Sequence, residues 1–204
     1  MTIYLVRHGL AAAGVDDLDP GLSDLGHAQA RATAEALKPK GAARLVVSPL
    51  RRTRETAAPV AAALGLEPEL RDEVSEVFDP GMPAEDRKAM LGPFMAGKWA
   101  DQPADLRAWR SRVVNALLEI GLATEAATGN LVVVSHYIAI GAAIGEATGD
   151  DRVVPAPIAN CSITTLNVGH GGFTLIAAAS TAHLASDLIT GTSTFTLGPP
   201  PGTP

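Results

Sequence analysis

Three short apolar runs govern what this chain can fold into. Residues 2–7, 44–47 and 131–135 read Thr2-Ile3-Tyr4-Leu5-Val6-Arg7, Arg44-Leu45-Val46-Val47 and Leu131-Val132-Val133-Val134-Ser135. They are too short for helices, rich in β-branched residues and nearly continuous in apolar character, the pattern of strands covered on both faces. Helical stretches lie between them. Ser23 is placed to cap a helix over 24–37, where Leu25, Ala28, Ala32 and Leu37 contribute to an apolar face. Pro49 opens a helix over about 50–64, stopped near Gly65. Two more are expected, over 105–127 with Leu106, Trp109, Val113, Leu117 and Ile120 on one side, and over 137–148, ended by Gly149. Residues 161–168 and 173–180, joined by Gly169-His170-Gly171-Gly172, read as an antiparallel hairpin at the sheet edge. The expected fold class is α/β, a three-layer α/β/α sandwich with a mostly parallel central sheet, one antiparallel edge and a small helical cap insertion.

The cap is expected where the regular alternation fails. Residues 70–104 carry Asp79-Pro80-Gly81, Pro83, Gly92-Pro93, Gly97 and Pro103 among Phe78, Met82, Met90, Phe94, Met95 and Trp99. Short helices and loops packed by large side chains suit a cap over a site, and equally a crossover that covers the sheet. A chain of 204 residues suits one domain. It is expected over 1–182, with the cap insertion at about 74–104. Residues 183–204 turn polar and small, ending Gly198-Pro199-Pro200-Pro201-Gly202-Thr203-Pro204, and read as a partly disordered tail.

Charge narrows the partners. The formal net charge is −6 and the sequence pI about 5.3, which argues against a nucleic-acid or anionic-membrane surface. The cluster Arg51, Arg52, Arg54 is too short to reverse this. No apolar run approaches the ~20 residues of a membrane span, and the start lacks the apolar core of a signal peptide, so a cytoplasmic protein is expected. Cys161 is the only cysteine, which excludes an intramolecular disulfide and a cysteine-rich metal site and favours a small buried side chain.

Chemistry gathers where the apolar runs end. Arg7 and His8 follow the first, Arg52 lies in Ser48-Pro49-Leu50-Arg51-Arg52-Thr53 after the second, and His136 follows the third. Carboxyl ends of strands are where α/β sheets build sites. Two guanidinium forks and two imidazoles at one edge can hold a phosphoryl group, one imidazole attacking phosphorus and the other, when protonated, adding charge. A single histidine at a strand end is more often an ordinary hydrogen-bonded residue, and His27, His170 and His183 take that reading. For His8 and His136 the flanking residues and the arginines reverse the odds. Zinc would need His spacings that do not occur, and there is no Gly-rich phosphate loop with lysine.

These segments resemble the histidine phosphatase superfamily, with its phosphoglycerate-mutase-like fold. Leu5-Val6-Arg7-His8-Gly9 is similar to its Arg-His-Gly signature, Leu22-Ser23-Asp24-Leu25-Gly26-His27-Ala28-Gln29-Ala30 to its next helix start, Ser48 through Ala57 to its Ser-x-Leu-x-Arg…Thr-Ala element, and Val133-Val134-Ser135-His136 to its second histidine. Order and spacing agree over roughly residues 1–180. The resemblance implies that His8 forms a phosphohistidine that water hydrolyses, that Arg7, Arg52 and His136 are catalytic with it, and that Arg7, Gly9, Arg52, His136 and Tyr137 bind substrate. It also implies a carboxylic acid that protonates the leaving group. In Glu69-Leu70-Arg71-Asp72-Glu73-Val74-Ser75-Glu76-Val77 the choice is Glu73, with Asp72 and Glu76 as alternatives. Two departures stand out. Tyr137 replaces a common glycine, and Leu10-Ala11-Ala12-Ala13 lacks the Thr and Asn that many members place there.

The expected function is a metal-independent phosphomonoester hydrolase of the histidine acid-phosphatase type, without metal or cofactor. A phosphoglycerate-mutase-type phosphotransferase and a non-catalytic phospho-ligand module are the alternatives. Between residues 74 and 104, Arg87, Lys88 and Lys98 face Glu76, Asp79, Glu85, Asp86 and Asp101. An apolar cap, acidic on balance, favours a neutral or hydrophobic leaving group and hydrolysis over isomerisation. The expected partner is a small phosphate monoester, with a homodimer left open and neither nucleic acid nor membrane involved.

Overall fold

The computed structural model describes residues 1–12, 17, 19–78, 84–125 and 129–192, with the backbone alone for 84–88 and 125. Strands β1 (Thr2–Arg7), β2 (Ala42–Val47), β3 (Pro68–Leu70), β4 (Asn130–Ser135), β5 (Ile163–Gly169) and β6 (Gly172–Ser180) form one sheet in the order β3-β2-β4-β1-β5-β6. β3, β2, β4 and β1 run parallel, while β5 pairs antiparallel with both β1 and β6. The helices are α1 (Asp24–Leu37), α2 (Arg51–Leu64), α3 (Ala84–Ala96), α4 (Ala104–Glu125) and α5 (Tyr137–Thr148).

Alternation along the buried strands assigns the helices to two layers, because successive side chains point to opposite faces. Ile3, Leu5, Val46, Leu131 and Val133 pack with Val113, Leu117 and Ile120 of α4 and Ala139, Ile140, Ala143 and Ile144 of α5. Val6, Leu45, Val47, Val132 and Val134 face the other way, onto Ala34 and Leu37 of α1 and Ala57 and Val60 of α2. The result is the expected three-layer sandwich with an antiparallel edge. Local signals set several ends. Ser23 accepts a hydrogen bond from the Gly26 N–H at 3.1 Å, and α5 stops at Gly149. β3 went unforeseen. Only its pairing with β2 makes Pro68–Leu70 a strand.

In the expected cap region Phe78, Phe94 and Trp99 turn into the interior. They are buried with Val114, Ile138, Ala142 and Val153 in a satellite core, with Phe78–Phe94 and Phe94–Trp99 edge-to-face at 5.3 and 5.6 Å. Burying large apolar side chains is favourable, and three of the six counted toward an apolar cap, Phe78, Phe94 and Trp99, lie in this interior. Asp79 and Met82, and the side chains of Glu85, Asp86, Arg87 and Lys88, lie outside the described residues. The tail expected from 183 divides. Residues 183–192 turn back over the sheet's carboxyl edge through a 3-10 turn at Ser186–Leu188, and 193–204 lie outside the described residues. Among the described residues, no helix is long and apolar enough to cross a membrane.

Candidate active site

Parallel pairing brings three strand ends level. Arg7 pairs with Ser135, and Val47 with Val134. Two further backbone bonds, His8 N to Ser135 O at 3.0 Å and Ser48 N to Val134 O at 3.1 Å, extend the ladders just past the strands. The chain therefore leaves β1 and β4 at the same height, and the His8 and His136 rings lie side by side, centroids 5.2 Å apart.

His8 is buried, and its Nδ1 lies 2.8 Å from the Gly9 carbonyl oxygen. A carbonyl only accepts, so Nδ1 carries the proton and Nε2 keeps its lone pair. His136 is fully buried between Arg52 and Ser48. Arg52 Nη2 can only donate, so His136 Nδ1 accepts at 3.3 Å. In the neutral ring the other nitrogen, Nε2, then donates to Ser48 Oγ at 2.8 Å. Burial, more than any other cause, holds both imidazoles well below the ordinary histidine range. The guanidiniums of Arg7 and Arg52 add to this at both rings, and His8 adds to it at His136. The positive charge expected of His136 is thus disfavoured by its surroundings here.

Arg7 stacks its guanidinium 4.9 Å from the Tyr137 ring centroid, and Nη1 donates to Ile158 O at 2.6 Å and Gly191 O at 3.3 Å. Its Nε is buried without a hydrogen-bond partner among the described residues, an open donor at an anion-seeking edge. Arg52 Nη1 lies 3.7 Å from Asp19 Oδ1. Gly9 N donates to Thr56 Oγ1 at 3.0 Å, and that hydroxyl donates to Arg52 O at 2.7 Å, tying the loop after β1 to α2. Tyr137 is half-buried and directs its hydroxyl toward Ala156 O at 3.4 Å. α5 begins at Tyr137 with His136 as its N-cap, so the helix's first N–H groups lie beside the histidines.

The carboxyl chosen from sequence is elsewhere. Glu73 is exposed and paired with Arg71, Nη2–Oε1 3.0 Å, which holds its carboxyl below the usual range. Asp72 is exposed too. A 3-10 turn at Asp72–Val74 sends both outward while burying Val74. The structure brings Glu76 to the arginines instead. It is half-buried, and burial raises its carboxyl above the usual range against the opposing pull of the Val77 N–H, Arg52, Arg7 and the Ile138 N–H. Such a carboxyl holds its proton to higher pH than Glu73 does.

Ser48 and Thr56 were not singled out from sequence, though both lie within the quoted Ser48–Ala57 element. Asn160 was missed altogether, and its Nδ2 donates to His8 O at 3.1 Å. Cys161 next to it adopts φ 55°, and its N–H donates to Arg7 O at 3.0 Å. Burial pushes its thiol up to about 12. Among the described residues, no group of three or more His, Cys, Asp or Glu could hold a metal ion.

The model of the histidine phosphatase superfamily (branch 1) matches residues 3–181. No curated protein matches the sequence. Solved structures do. A phosphoserine phosphatase mutant from Entamoeba histolytica in complex with phosphoserine is 23% identical, with 90% of this chain and 99% of that one aligned and a TM-score of 0.69. A mycobacterial glucosyl-3-phosphoglycerate phosphatase complexed with VO3 is 21% identical over 88% of this chain and 99% of that one, TM-score 0.70. A phosphoglycerate mutase from Bacillus anthracis is 18% identical over 90% and 94%, TM-score 0.69. At these identities the likeness is one of fold.

Proposed function

The chain belongs to the histidine phosphatase superfamily, branch 1, and we propose that it is a metal-independent phosphomonoester hydrolase working through a phosphohistidine on His8. One observation carries the reading. The Gly9 carbonyl fixes the His8 proton on Nδ1, leaving the Nε2 lone pair beside two guanidiniums.

In this reading Arg7 and Arg52 receive the dianionic phosphoryl group, whose charge must be met by groups placed in advance, and Gly9, lacking a side chain, leaves room for its approach. His8 Nε2 attacks phosphorus as the bond from phosphorus to the ester oxygen breaks, and Glu76 gives its proton to that leaving oxygen. Water then attacks the phosphohistidine, Glu76 takes the water's proton, and the N–P bond breaks to release inorganic phosphate. The dianion beside His136 offsets the guanidiniums and raises its pKa, so protonation there accompanies binding. Tyr137 walls one side and keeps Arg7 in plane. Phosphoserine and glucosyl-3-phosphoglycerate phosphatases of the same fold support a small phosphate monoester as the substrate class.

His8→Ala is expected to abolish turnover of an aryl phosphate, and an acid-labile phosphoenzyme should be trapped on His8 in the wild type. EDTA should leave the rate unchanged and orthovanadate should inhibit. Full activity in His8→Ala, or strict Mg²⁺ dependence, would overturn the mechanism. Efficient interconversion of 2- and 3-phosphoglycerate with negligible phosphate release would make the protein a mutase.

A further inference from the structure

Behind the histidines, four segments far apart in sequence meet through buried amides. Gln29 of α1 is fully buried, accepts from Leu10 N at 2.8 Å, and donates to Leu188 O at 2.7 Å and Thr190 Oγ1 at 2.8 Å. Asn160 is buried as well. Its N–H donates to Thr190 O at 2.9 Å, its Oδ1 accepts from Thr190 Oγ1 at 3.1 Å, and its Nδ2 donates to His8 O at 3.1 Å. The next residue, Gly191, accepts from Arg7 Nη1 at 3.3 Å. Gly191 has φ 71°, and a Cβ there would lie 2.5 Å from Asn160 Oδ1 and 2.8 Å from Arg7 Nη1, so only glycine allows this approach.

We propose that residues 188–191 form a clasp, latched by Gln29 and Asn160, which fixes the Arg7 guanidinium and the His8 backbone for phosphoryl transfer, so that Gln29, Asn160 and Thr190 are positioning residues. The proposal rests on the phosphatase reading. None of the three has a part in the reaction steps, yet together they tie the loop after β1, α1, the turn at 158–160 and the C-terminal segment into one unit. Buried amides with their donors and acceptors engaged specify one arrangement. Arg7 has many rotamers, and two carbonyl acceptors on Nη1 select the one that leaves the buried Nε without a partner. A guanidinium set before the substrate arrives needs no reorganisation in the transition state.

The test compares Gly191→Ala, Thr190→Val and Thr190→Ser in the full chain. It reads aryl phosphate turnover, calorimetric affinities for orthovanadate and inorganic phosphate, and melting temperature. Displacement of catalytic groups by about 1 Å can cost on the order of 100-fold, so Gly191→Ala is expected to lower kcat/KM by about 10- to 100-fold. Orthovanadate should weaken by a similar factor, inorganic phosphate by less. Thr190→Val should share the defect in smaller degree, and Thr190→Ser, which keeps the hydroxyl, should restore it. In an Arg7→Ala background Gly191→Ala should add less than about 2-fold, because coupled residues are not additive. The same factor in both backgrounds, wild-type orthovanadate affinity in Gly191→Ala, or equal behaviour of Thr190→Val and Thr190→Ser would overturn the clasp. If the wild type hydrolyses no phosphate ester, the phosphatase reading falls, and the orthovanadate and phosphate affinities of the same variants still decide the clasp.

Discussion

Glu73 and Glu76 are close neighbours in the chain with opposite surroundings. Arg71 favours the ionised form of Glu73, whereas burial favours the protonated form of Glu76. General acid catalysis contributes typically about 10²- to 10⁴-fold, and esters with poor alkoxide leaving groups need it most. Glu76→Gln is therefore expected to slow alkyl phosphate hydrolysis by that order and aryl phosphate hydrolysis far less, while Glu73→Gln leaves both nearly unchanged. The sign with pH follows from the raised carboxyl. Alkyl turnover should fall as pH rises through the Glu76 pKa, and Glu76→Gln should lack that limb. A selective loss in Glu73→Gln would return the acid to the residue chosen from sequence. That Arg7, His8, Arg52 and His136 come together was legible because each sits at a fixed offset from the end of a buried strand or its following loop. Which of Asp72, Glu73 and Glu76 turns toward the arginines was left open by the sequence, because their directions depend on a three-residue 3-10 turn that no periodicity announces.

Among the elements, α1 carries the tightest constraint on the site. A Cβ on Gly9 would lie 2.7 Å from Gly26 O, and one on Gly26 would collide with Leu10 O. These are backbone oxygens that cannot swing aside as a flexible side chain would. Two effects oppose each other in Gly26→Ala. Alanine gains about 1 kcal/mol of helix propensity, while overpacking costs about 1–3 kcal/mol, and the rigid partner puts the cost near the upper end. Net destabilisation of roughly 1–2 kcal/mol is expected in denaturant unfolding, with weaker orthovanadate binding because the His8–Gly9 loop is pushed. A Gly26→Ala variant more stable than wild type would refute this close packing. α1 and α5 were read to their ends from sequence because Ser23 and Gly149 are local signals. β3 and the segment 183–192 were not, since pairing with β2 makes the one and hydrogen bonds to Gln29, Asn160 and Arg7 order the other. Small polar composition cannot tell a docked strap from a loose tail.

Across the whole molecule the sandwich spends buried apolar surface to hold a cluster of ionisable groups together, and the cluster makes stability depend on pH in two directions. His8 and His136 have depressed folded pKa values. Their contribution is present above the unfolded value of about 6.5 and is lost as pH falls from there through the folded values. Glu76 has a raised folded pKa. Its contribution is present below the unfolded value of about 4.3 and is lost as pH rises through the folded one. Comparing Glu76→Gln with wild type cancels the histidines, which both proteins retain, and isolates the carboxyl. The amide never ionises, so the variant avoids the cost of a buried carboxylate that the wild type meets at high pH. The difference in melting temperature, variant minus wild type, is expected to grow as pH rises from the unfolded carboxyl value of about 4.3 through the folded Glu76 value, whatever it is at the acid end. At the same time the variant should lose alkyl phosphatase activity, so that stability and activity part at one residue, as they do where a site holds a group against its environment. Differential scanning calorimetry at four pH values measures this directly, and a difference that stays flat or shrinks over that rise would show that Glu76 titrates no differently folded than unfolded, removing the basis for its role as the acid.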